Sequence, residues 1–302
     1  MEHSDIFDVI IIGGSNAGLS AGMSLARALR KVLIIDSGTP CNKQTPESHN
    51  FLTHDGRKPA EILEAGKAQL LKYSTVSILK SLATGASGSN NNFEVSTFDS
   101  RRFVSKKLLF ATGVKDIMPD IDGFAECWGI SVLHCPYCHG YEFKERKTGV
   151  LTNGEFATDF GMLIRNWTND LTLFTNGEST LTQEQLQKLS KRNITLVEKR
   201  IKNLTHQKGY IQSILFEDGS SQELEAVYAR PPFEQHCKIP EQLGCAVNDQ
   251  GYIEVDEFKR TTVPGIYAAG DNITRFRSVA NAVASGNTAG AFINHDLINE
   301  EV

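Results

Sequence analysis

The chain has 302 residues, of which 40% are hydrophobic and 22% are charged, and its formal net charge is −5. This length suggests about two domains of roughly 150 residues, with enough apolar side chains to bury a core without disulfide staples. The negative charge argues against nucleic acid as a main partner and favours small molecules or other proteins. The acidic, polar start lacks the basic segment and apolar run of a secretory signal, so we expect a cytoplasmic protein with no membrane partner.

The first elements form a βαβ unit of about 30 residues. Residues 7–12 predict a buried strand, residues 13–18 (Gly-Gly-Ser-Asn-Ala-Gly) a tight turn, and residues 19–29 a helix. A second strand over residues 31–35 ends at Asp36. A glycine turn and a helix N-terminus direct backbone N–H groups toward a pyrophosphate, so this unit predicts a dinucleotide site.

The residue types in this turn have physical reasons. Gly13 allows the tight turn, and Gly18 lets the helix pack closely on the sheet. Asp36, 18 residues after Gly18, can accept hydrogen bonds from ribose hydroxyls. The usual motif, G-x-G-x-x-G, has glycine where this chain has Ser15. Because serine is small and Gly14 adds backbone freedom, we expect nucleotide binding to survive.

The following elements mix helices and strands. A helix is predicted over residues 59–73, with a proline near its first turn, and strands over residues 93–98 and 107–111. Residues 85–92, rich in Gly, Ser and Asn, predict a turn between strands. A second βαβ pattern consists of a strand (149–151), a turn (152–154), a helix (156–167) and a strand (171–174). Later elements are a helix over 183–191, short strands within 194–228, a glycine-rich segment at 265–271 and a last helix over 279–297.

Six cysteines occur, at positions 41, 127, 135, 138, 237 and 245. A cytoplasmic chain of this length does not use them as a disulfide scaffold, and we expect most to be buried small hydrophobic residues. Only Cys135 and Cys138 have a spacing that implies chemistry, because two thiols separated by two residues can close a disulfide and open it again. His139, the next residue, can supply or accept a proton near neutral pH.

A redox pair is the favoured role for this run over three alternatives. Cys-x-x-Cys-His is also the attachment signature of c-type haem, but that maturation takes place outside the cytoplasm. A zinc site would need two further ligands, for which Cys127, His134 and His139 are the nearby candidates, and their spacing matches no zinc finger. The third alternative is a pair of inert buried thiols.

Together these motifs resemble the low-molecular-weight thioredoxin reductases, flavoproteins of the class II pyridine nucleotide-disulfide oxidoreductase family. The resemblance covers nearly the whole chain in the family's order and spacing. It rests on residues 13–18, Asn50-Phe51-Leu52, Ala111-Thr112-Gly113, residues 135–138, residues 265–271 and Arg277-Ser278-Val279. It implies an α/β fold with two Rossmann-like, three-layer (ββα/βαβ) nucleotide-binding domains, the second inserted in the first. Residues 1–115 and 246–302 would form the split FAD-binding domain, and residues 116–245 the central domain with the redox pair.

The resemblance also implies site residues. FAD would be bound by Gly13, Gly14, Ser15, Ala17, Gly18, Asp36, Ser37, Asn50, Ala111, Thr112, Gly113, Gly270, Asp271, Arg277, Ser278 and Val279, and no metal is expected. Asp271 would hold the ribityl chain. The helix start at Ser278 and Val279 would face the isoalloxazine ring, where the family has Gln in place of Ser278. Cys138 would exchange electrons with the flavin, and Cys135 would attack the substrate disulfide.

The chain departs from the family pattern in three further places. His139 stands where the family has a proton-donating aspartate, so the resemblance assigns that role to His139. The central motif, usually G-x-G-x-x-A, runs Thr-Asn-Gly-Glu-Phe-Ala over residues 152–157, and a β-branched threonine disfavours the tight turn. Thr-Asn-Gly-Glu at residues 175–178 replaces the arginines that bind the 2′-phosphate of NADPH, and Arg165 and Lys188 lie on neighbouring helices. Losing two or three phosphate contacts, at roughly 1.5–3 kcal/mol each, weakens NADPH binding at least about a hundredfold.

The resemblance leaves three functions open. The first is an FAD-dependent thiol-disulfide oxidoreductase that reduces a thioredoxin-like protein or a small disulfide, as a homodimer, with a ferredoxin-like donor in place of NADPH. The second is a flavin-dependent dithiol oxidase that acts on a small molecule with O2 as acceptor, as relatives with a similar Cys-x-x-Cys-His-Gly stretch do. The third is a non-enzymatic flavin redox sensor.

Overall fold

The computed structural model describes residues 6–301, and the polar start at residues 1–5 lies outside the described residues. The strands are β1 (Phe7–Ile12), β2 (Val32–Asp36), β3 (Val76–Lys80), β4 (Ala83–Ser89), β5 (Asn92–Thr97), β6 (Arg102–Phe110), β7 (Val114–Asp116), β8 (Val132–Leu133), β9 (Thr148–Leu151), β10 (Leu171–Phe174), β11 (Thr195–Val197), β12 (Ile201–Gln207), β13 (Tyr210–Phe216), β14 (Ser221–Glu223), β15 (Ala226–Ala229), β16 (Phe233–Gln235) and β17 (Ile266–Ala268). The helices are α1 (Asn16–Arg27), α2 (Pro59–Leu70), α3 (Phe124–Cys127), α4 (Pro136–His139), α5 (Ala157–Ile164), α6 (Gln183–Lys191), α7 (Ile239–Gln242) and α8 (Val279–Glu300), and a 3₁₀ turn covers Asp271–Ile273.

The described residues group into two units by their contacts. The first unit contains residues up to 43, residues 51–115 and residues from 233 onward, and the second contains residues 44–50 and 116–232. Residues 233–245 therefore group with the first unit, whereas the sequence places them in the central domain. The domain boundaries stay a prediction.

The first unit is built on a parallel sheet that gains two antiparallel strands at one side. Its order is β3-β2-β1-β6-β5-β4, and β17 also pairs with β6. The strands β3, β2, β1, β6 and β17 run parallel. Residues 9–12 are all buried, and their side chains enter two hydrophobic clusters, one on each face of the sheet. Burial on both faces is typical of a central parallel strand.

Two helices of this unit approach each other unusually closely. A Cβ at Gly286 of α8 would overlap the carbonyl oxygen of Ala17 in α1, and a Cβ at Gly290 would lie 2.6 Å from the carbonyl oxygen of Ala21. Glycine at both positions therefore allows the backbones of α1 and α8 to pack together. The Gly-x-x-x-Gly spacing in α8 was available in the sequence and was missed.

The predicted turn at residues 85–92 is wrong. Residues through Ser89 belong to β4, which pairs antiparallel with β5, and only Asn90 and Asn91 form the turn. Asn91 has φ +68°, a left-handed conformation that asparagine tolerates. Gly, Ser and Asn are poor strand formers, but pairing with a neighbouring strand overrides intrinsic preference.

The second unit also has a parallel sheet, in the order β11-β10-β9-β15-β8. One hydrophobic cluster joins this sheet to α5 and α6 through residues such as Phe160 and Leu189. A separate antiparallel sheet, β12-β13-β14, shares a second cluster with it through residues such as Phe174 and Phe216. The predicted α/β fold class, with Rossmann-like units, is confirmed. Within residues 6–301, no helix is long and apolar enough to cross a membrane.

A buried lysine provides a stability prediction for the first unit. The side chain of Lys107 is 1% exposed, and its Nζ lies 2.5 Å from both Asn90 Oδ1 and Glu300 Oε2. We expect Lys107→Ala to lower the free energy of unfolding by about 3 kcal/mol, because it leaves a partly buried carboxylate unpaired. Lys106, whose side chain is 37% exposed and pairs with Asp8, is the matched control. Lys106→Ala should cost about 1 kcal/mol or less. Urea unfolding of the two variants measures the difference, and equal losses would contradict the assignment.

Candidate functional site

The carboxyl ends of four parallel strands meet at one edge of the first sheet. Ile12, the last residue of β1, pairs with Ile35 of β2 and with Phe110 of β6. Ala268 of β17 also pairs with Phe110. The segments that follow these strands are therefore neighbours. These segments contain the predicted site residues Gly13, Gly14, Ser15, Ala17, Gly18, Ser37, Ala111–Gly113, Gly270 and Asp271, and Asp36 is the last residue of β2. Ligands of open α/β sheets bind at this edge, where connections leave a central strand in opposite directions.

The turn after β1 is shaped by close backbone contacts. Gly13 has φ +105°, and a Cβ there would overlap the carbonyl oxygen of Ala111. A Cβ at Gly18 would overlap the carbonyl oxygen of Gly13. Ser15 precedes α1 in an extended conformation, and its side chain makes no capping hydrogen bond. The helix N-terminus, including Ala17, keeps its N–H groups directed at the edge of the sheet, as pyrophosphate binding requires.

Asp36 is held at the end of β2 by two donors. The N–H of Gly14 donates to Asp36 Oδ1 (3.2 Å), and Lys67 Nζ lies 3.3 Å from Oδ2. Lys67 lies on α2, and sequence reasoning missed it because no motif links the two positions. Ser37 shares a hydrogen bond with Thr39 (3.1 Å) in an exposed position. The carboxylate thus has a fixed orientation, which suits it to accept hydrogen bonds from a ribose.

The segments after β6 and β17 supply further polar groups. The Thr112 hydroxyl is buried, and it has no hydrogen-bond partner among the described residues. A buried polar group of this kind needs a partner, so a ligand group at this edge would satisfy it. Gly113 has φ +65°. The N–H of Gly270 donates to Ser285 Oγ (3.1 Å), and Asn272 Nδ2 donates to the carbonyl oxygen of Phe110 (2.8 Å). The glycine cradle and the unsatisfied hydroxyl fit a bound dinucleotide such as FAD.

The start of α8 contains the last predicted group. Arg277 Nε lies 3.7 Å from Asp271 Oδ2. Ser278 Oγ accepts a hydrogen bond from the N–H of Asn281 (3.1 Å), so Ser278 caps the 22-residue helix that begins at Val279. Serine at this position therefore has a local role of its own. Asn50, by contrast, belongs to the second unit, so the structure does not group it with the other predicted FAD residues.

In the second unit, Cys135 and Cys138 form a disulfide, with their Cα atoms 5.3 Å apart. Pro136 occupies the first position of the short helix α4, and the N–H of Cys138 donates to Cys135 Sγ (3.2 Å). A Cβ at Gly140 would lie 2.7 Å from the indole of Trp167. The turn is therefore packed against Trp167, and both cysteines remain half-buried, as a disulfide that must react with a substrate requires.

The four cysteines outside the disulfide differ in how exposed and how reactive their thiols are. Burial raises the pKa of Cys127 to about 11, and it raises the pKa values of Cys237 and Cys245. A thiol with a raised pKa is a poor nucleophile, so these three are inert at neutral pH. Cys127 and Cys245 are buried, Cys237 is half-buried and Cys41 is exposed, so fewer cysteines are fully buried than the sequence predicts.

His139 is neutral at physiological pH. Burial, and then the charge of His49, lower its pKa to about 4. At pH 7 about one molecule in a thousand would carry the proton on this imidazole. With the disulfide closed, His139 rarely has a proton to donate, and its low pKa also makes it a weak base, so its unprotonated ring nitrogen serves as a hydrogen-bond acceptor.

The turn after β9 is closed by one side chain. Asn153 Oδ1 accepts hydrogen bonds from the N–H of Gly154 (2.9 Å) and from the N–H (3.0 Å) and hydroxyl (3.1 Å) of Thr180. Its Nδ2 donates to the carbonyl oxygen of Glu178 (2.9 Å). In a dinucleotide site, the N–H groups of this turn face the pyrophosphate. Here one amide accepts from the turn and ties it to the loop after β10, and we call these four contacts the Asn153 clasp.

The loop after β10 has no cation of its own, but one lies beside it. A Cβ at Gly177 would lie 3.8 Å from the Arg200 guanidinium. Arg200 follows β11, whose parallel pairing with β10 sets the two loops side by side, so sequence reasoning missed it. Arg165 donates instead to the carbonyl oxygen of Arg192 (2.9 Å), and Lys188 pairs with a neighbour on its own helix.

Comparison with known proteins identifies the family. The family model described as pyridine nucleotide-disulphide oxidoreductase matches residues 7–286. The chain belongs to this family. Thioredoxin reductase tcpT of Claviceps purpurea is 32% identical over 309 residues, covering 99% of this chain and 96% of the relative. The thioredoxin reductase of Listeria monocytogenes is 27% identical over 301 residues, covering 94% and 92%.

Solved structures agree with this assignment. An oxidoreductase from Agrobacterium tumefaciens has 36% sequence identity and a TM-score of 0.92, covering 98% of this chain and 99% of its own. The crystal structure of HlmI has 31% identity and a TM-score of 0.93, covering 100% and 95%. The predicted resemblance is confirmed: the chain is an FAD-dependent disulfide oxidoreductase of the thioredoxin reductase type.

Proposed function

We propose that this oxidoreductase passes electrons between FAD and a substrate disulfide through Cys138 and Cys135, and that it does not use NADPH efficiently. The observation that carries the proposal is the pairing of a closed Cys135–Cys138 disulfide with a dinucleotide turn shut by the Asn153 clasp. The first feature supplies a redox pair. The second engages a backbone donor that the pyrophosphate of a nicotinamide dinucleotide would need, which supports the proposed loss of NADPH binding.

The residues divide the work between cofactor binding and thiol chemistry. FAD, when bound, supplies two-electron exchange with the disulfide. Gly13, Gly18 and Asp36 bind its pyrophosphate and ribose, and Asp271 binds the ribityl chain. The other predicted cofactor residues, including Asn50, belong to the same proposal. Cys138 exchanges with the flavin, and Cys135 forms the mixed disulfide with the substrate.

The choice of electron donor follows from the NADPH-binding groups that are missing from the turn after β9 and the loop after β10. The Asn153 clasp takes the N–H of Gly154, one of the backbone donors that a pyrophosphate at this turn would use, and residues 175–178 contain no cation. Arg200 provides one exposed guanidinium beside that loop, which does not replace a fork of arginines around a 2′-phosphate. We propose a ferredoxin-like protein as the electron donor, because such a donor needs no dinucleotide groove.

The partner and the setting complete the proposal. Relatives named thioredoxin reductases support a thioredoxin-like protein or a small disulfide as substrate. We propose a cytoplasmic homodimer, with an FAD-binding domain at residues 1–115 and 246–302 and a central domain at residues 116–245.

One observation favours a second candidate function. His139 is neutral at pH 7 because of its lowered pKa of about 4, so its unprotonated ring nitrogen, although a weak base, can accept a hydrogen bond from the thiol proton of an incoming dithiol. Removing that proton makes a substrate dithiol nucleophilic. The same site can therefore oxidise a small-molecule dithiol, with O2 accepting the electrons from the reduced flavin.

Anaerobic flavin bleaching separates these functions. We expect NADPH or NADH at micromolar concentration to leave the flavin absorbance of the holoenzyme unchanged, since the second turn is closed. Reduced ferredoxin should bleach the flavin within seconds if the enzyme is a reductase. Dithiothreitol should bleach it through the disulfide in either case, and admitted O2 should restore the colour rapidly only for an oxidase. Rapid bleaching by NADPH would overturn the proposed loss of the second site, and a flavin that no donor or dithiol reduces would favour the sensor.

A further inference from the structure

A second histidine and two carboxylates lie close to the dithiol turn. Nε2 of His49 is 3.6 Å from Glu47 Oε2 and 3.6 Å from Glu142 Oε1. The side chain of His49 is 15% exposed, and that of Glu142 is 34% exposed. Glu142 follows His139 by three residues, in the turn after α4. We call His49, Glu47 and Glu142 the His49 cluster.

The His49 cluster belongs to the same unit as the disulfide. Residues 44–50 are separated in sequence from residues 116–232, yet they group with them. Gly129 has φ +75°, and a Cβ there would lie 2.9 Å from Thr45 Oγ1. The segment that contains His49 is thus packed onto the unit that contains Cys135 and Cys138.

The cluster places an imidazole between two carboxylates, beside the turn that contains His139. His49 and His139 influence each other electrostatically, because the charge of His49 contributes to the lowered pKa of His139. A proton on one imidazole therefore disfavours a proton on the other. Nε2 of His49 lies 3.6 Å from a carboxylate oxygen of Glu47 and of Glu142, so a proton on that nitrogen has an acceptor on each side. Tyr228 also faces Glu142, which raises the pKa of its buried hydroxyl after burial itself, so Tyr228 stays neutral.

We propose that His49, held by Glu47 and Glu142, is a positioning residue that exchanges protons with His139 during thiol-disulfide exchange. This inference rests on the proposed function. It also accounts for the packing of residues 44–50, which contain His49 and its partner Glu47, onto the unit with the redox pair.

The exchange balances in atoms and electrons. A substrate thiol gives its proton to His139, and its sulfur bonds to Cys135 while the Cys135–Cys138 bond breaks and Cys138 leaves as a thiolate. His139 passes the proton to His49, whose charge the two carboxylates offset. The second substrate thiol then displaces Cys135 and its proton goes to the departing Cys135 sulfur, which leaves the substrate oxidised by two electrons and the enzyme pair reduced by two, as the Cys135 thiol and the Cys138 thiolate. The reductase direction is the reverse of these steps.

The test uses Glu142→Gln holoenzyme and dithiothreitol as the thiol probe. The rate of anaerobic flavin bleaching is measured from pH 5 to pH 9, and variants are compared so that the titration of the reagent cancels. Removing one carboxylate makes the imidazole pair hold its proton less well. The midpoint of the pH–rate profile should therefore move to lower pH by about 0.5–1 unit. His49→Gln should slow bleaching at pH 7 by about tenfold.

Two further variants keep the test specific. Glu145→Gln changes an exposed carboxylate three residues further on and should leave the midpoint where the wild type has it. Glu142→Asp keeps the charge, so its midpoint should lie close to that of the wild type. A merely structural role would not predict this rescue. An unchanged midpoint in Glu142→Gln, with a wild-type enzyme that reacts, overturns the inference alone. A wild-type enzyme whose flavin dithiothreitol does not bleach overturns the proposed function instead.

Discussion

Cys138→Ser should lower flavin-linked turnover by a factor on the order of 10³ or more, because the disulfide can no longer form. The FAD should remain bound, since its predicted contacts other than Asn50 lie in the first unit. Cys135 should keep its thiol and still be able to attack a substrate disulfide. The serine cannot resolve the resulting mixed disulfide, so a covalent adduct between Cys135 and the substrate should accumulate. Mass spectrometry of the intact protein after incubation with an oxidised thioredoxin measures this adduct.

Matched variants distinguish the proposed roles of Cys135 and Cys138. Cys135→Ser should lose turnover to a similar degree but form no adduct, because the proposed attacking thiol is gone. Cys127→Ser changes a buried thiol whose raised pKa makes it inert, and it should leave turnover within about twofold of wild type. If the adduct forms with Cys135→Ser and not with Cys138→Ser, the proposed roles of the two cysteines are reversed. Turnover that survives in Cys138→Ser would remove the disulfide from the mechanism.

The parts of this protein that sequence predicts well are those set by local geometry. Gly13 adopts φ +105° in a short turn, and a Cβ at Gly18 would overlap the carbonyl oxygen of Gly13, so both of these requirements lie within six neighbouring residues. Cys135 and Cys138 are likewise recognised by a spacing that permits a disulfide. In such cases the residues that impose the requirement are close in sequence to the residue that meets it.

The features that sequence reasoning missed depend on contacts between distant segments. The pairing of β4 with β5 overrode the weak strand preference of residues 85–89. Arg200 approaches the loop after β10 only because β10 and β11 pair. Lys67 reaches Asp36 from α2, and the Asn153 clasp joins two loops of the second unit. A single sequence gives no measure of such distances, so these residues became visible only in three dimensions.

Gly13→Ala should reduce bound FAD to less than about a tenth of the wild-type content. At φ +105° an alanine bears backbone strain of roughly 1–3 kcal/mol, and its Cβ would overlap the carbonyl oxygen of Ala111. The strands β1 and β6 pair at this point, so relief of the overlap must move the turn or the segment after β6. Both segments belong to the predicted pyrophosphate edge. The ratio of flavin to protein absorbance after purification, with a thermal melt, measures the effect.

Gly38→Ala is the control that separates strain from overlap. Gly38 also has a positive φ, +78°, but no atom lies within 4 Å of its Cβ position. We expect this variant to lose about 1 kcal/mol of stability through strain alone and to keep its FAD. If Gly13→Ala retains stoichiometric FAD and a wild-type melting temperature, the cradle after β1 does not hold the cofactor. If both variants lose FAD equally, backbone strain and not the contact with Ala111 causes the loss. The two variants therefore test whether the close contact between Gly13 and Ala111, beyond backbone strain, makes glycine necessary in the turn after β1.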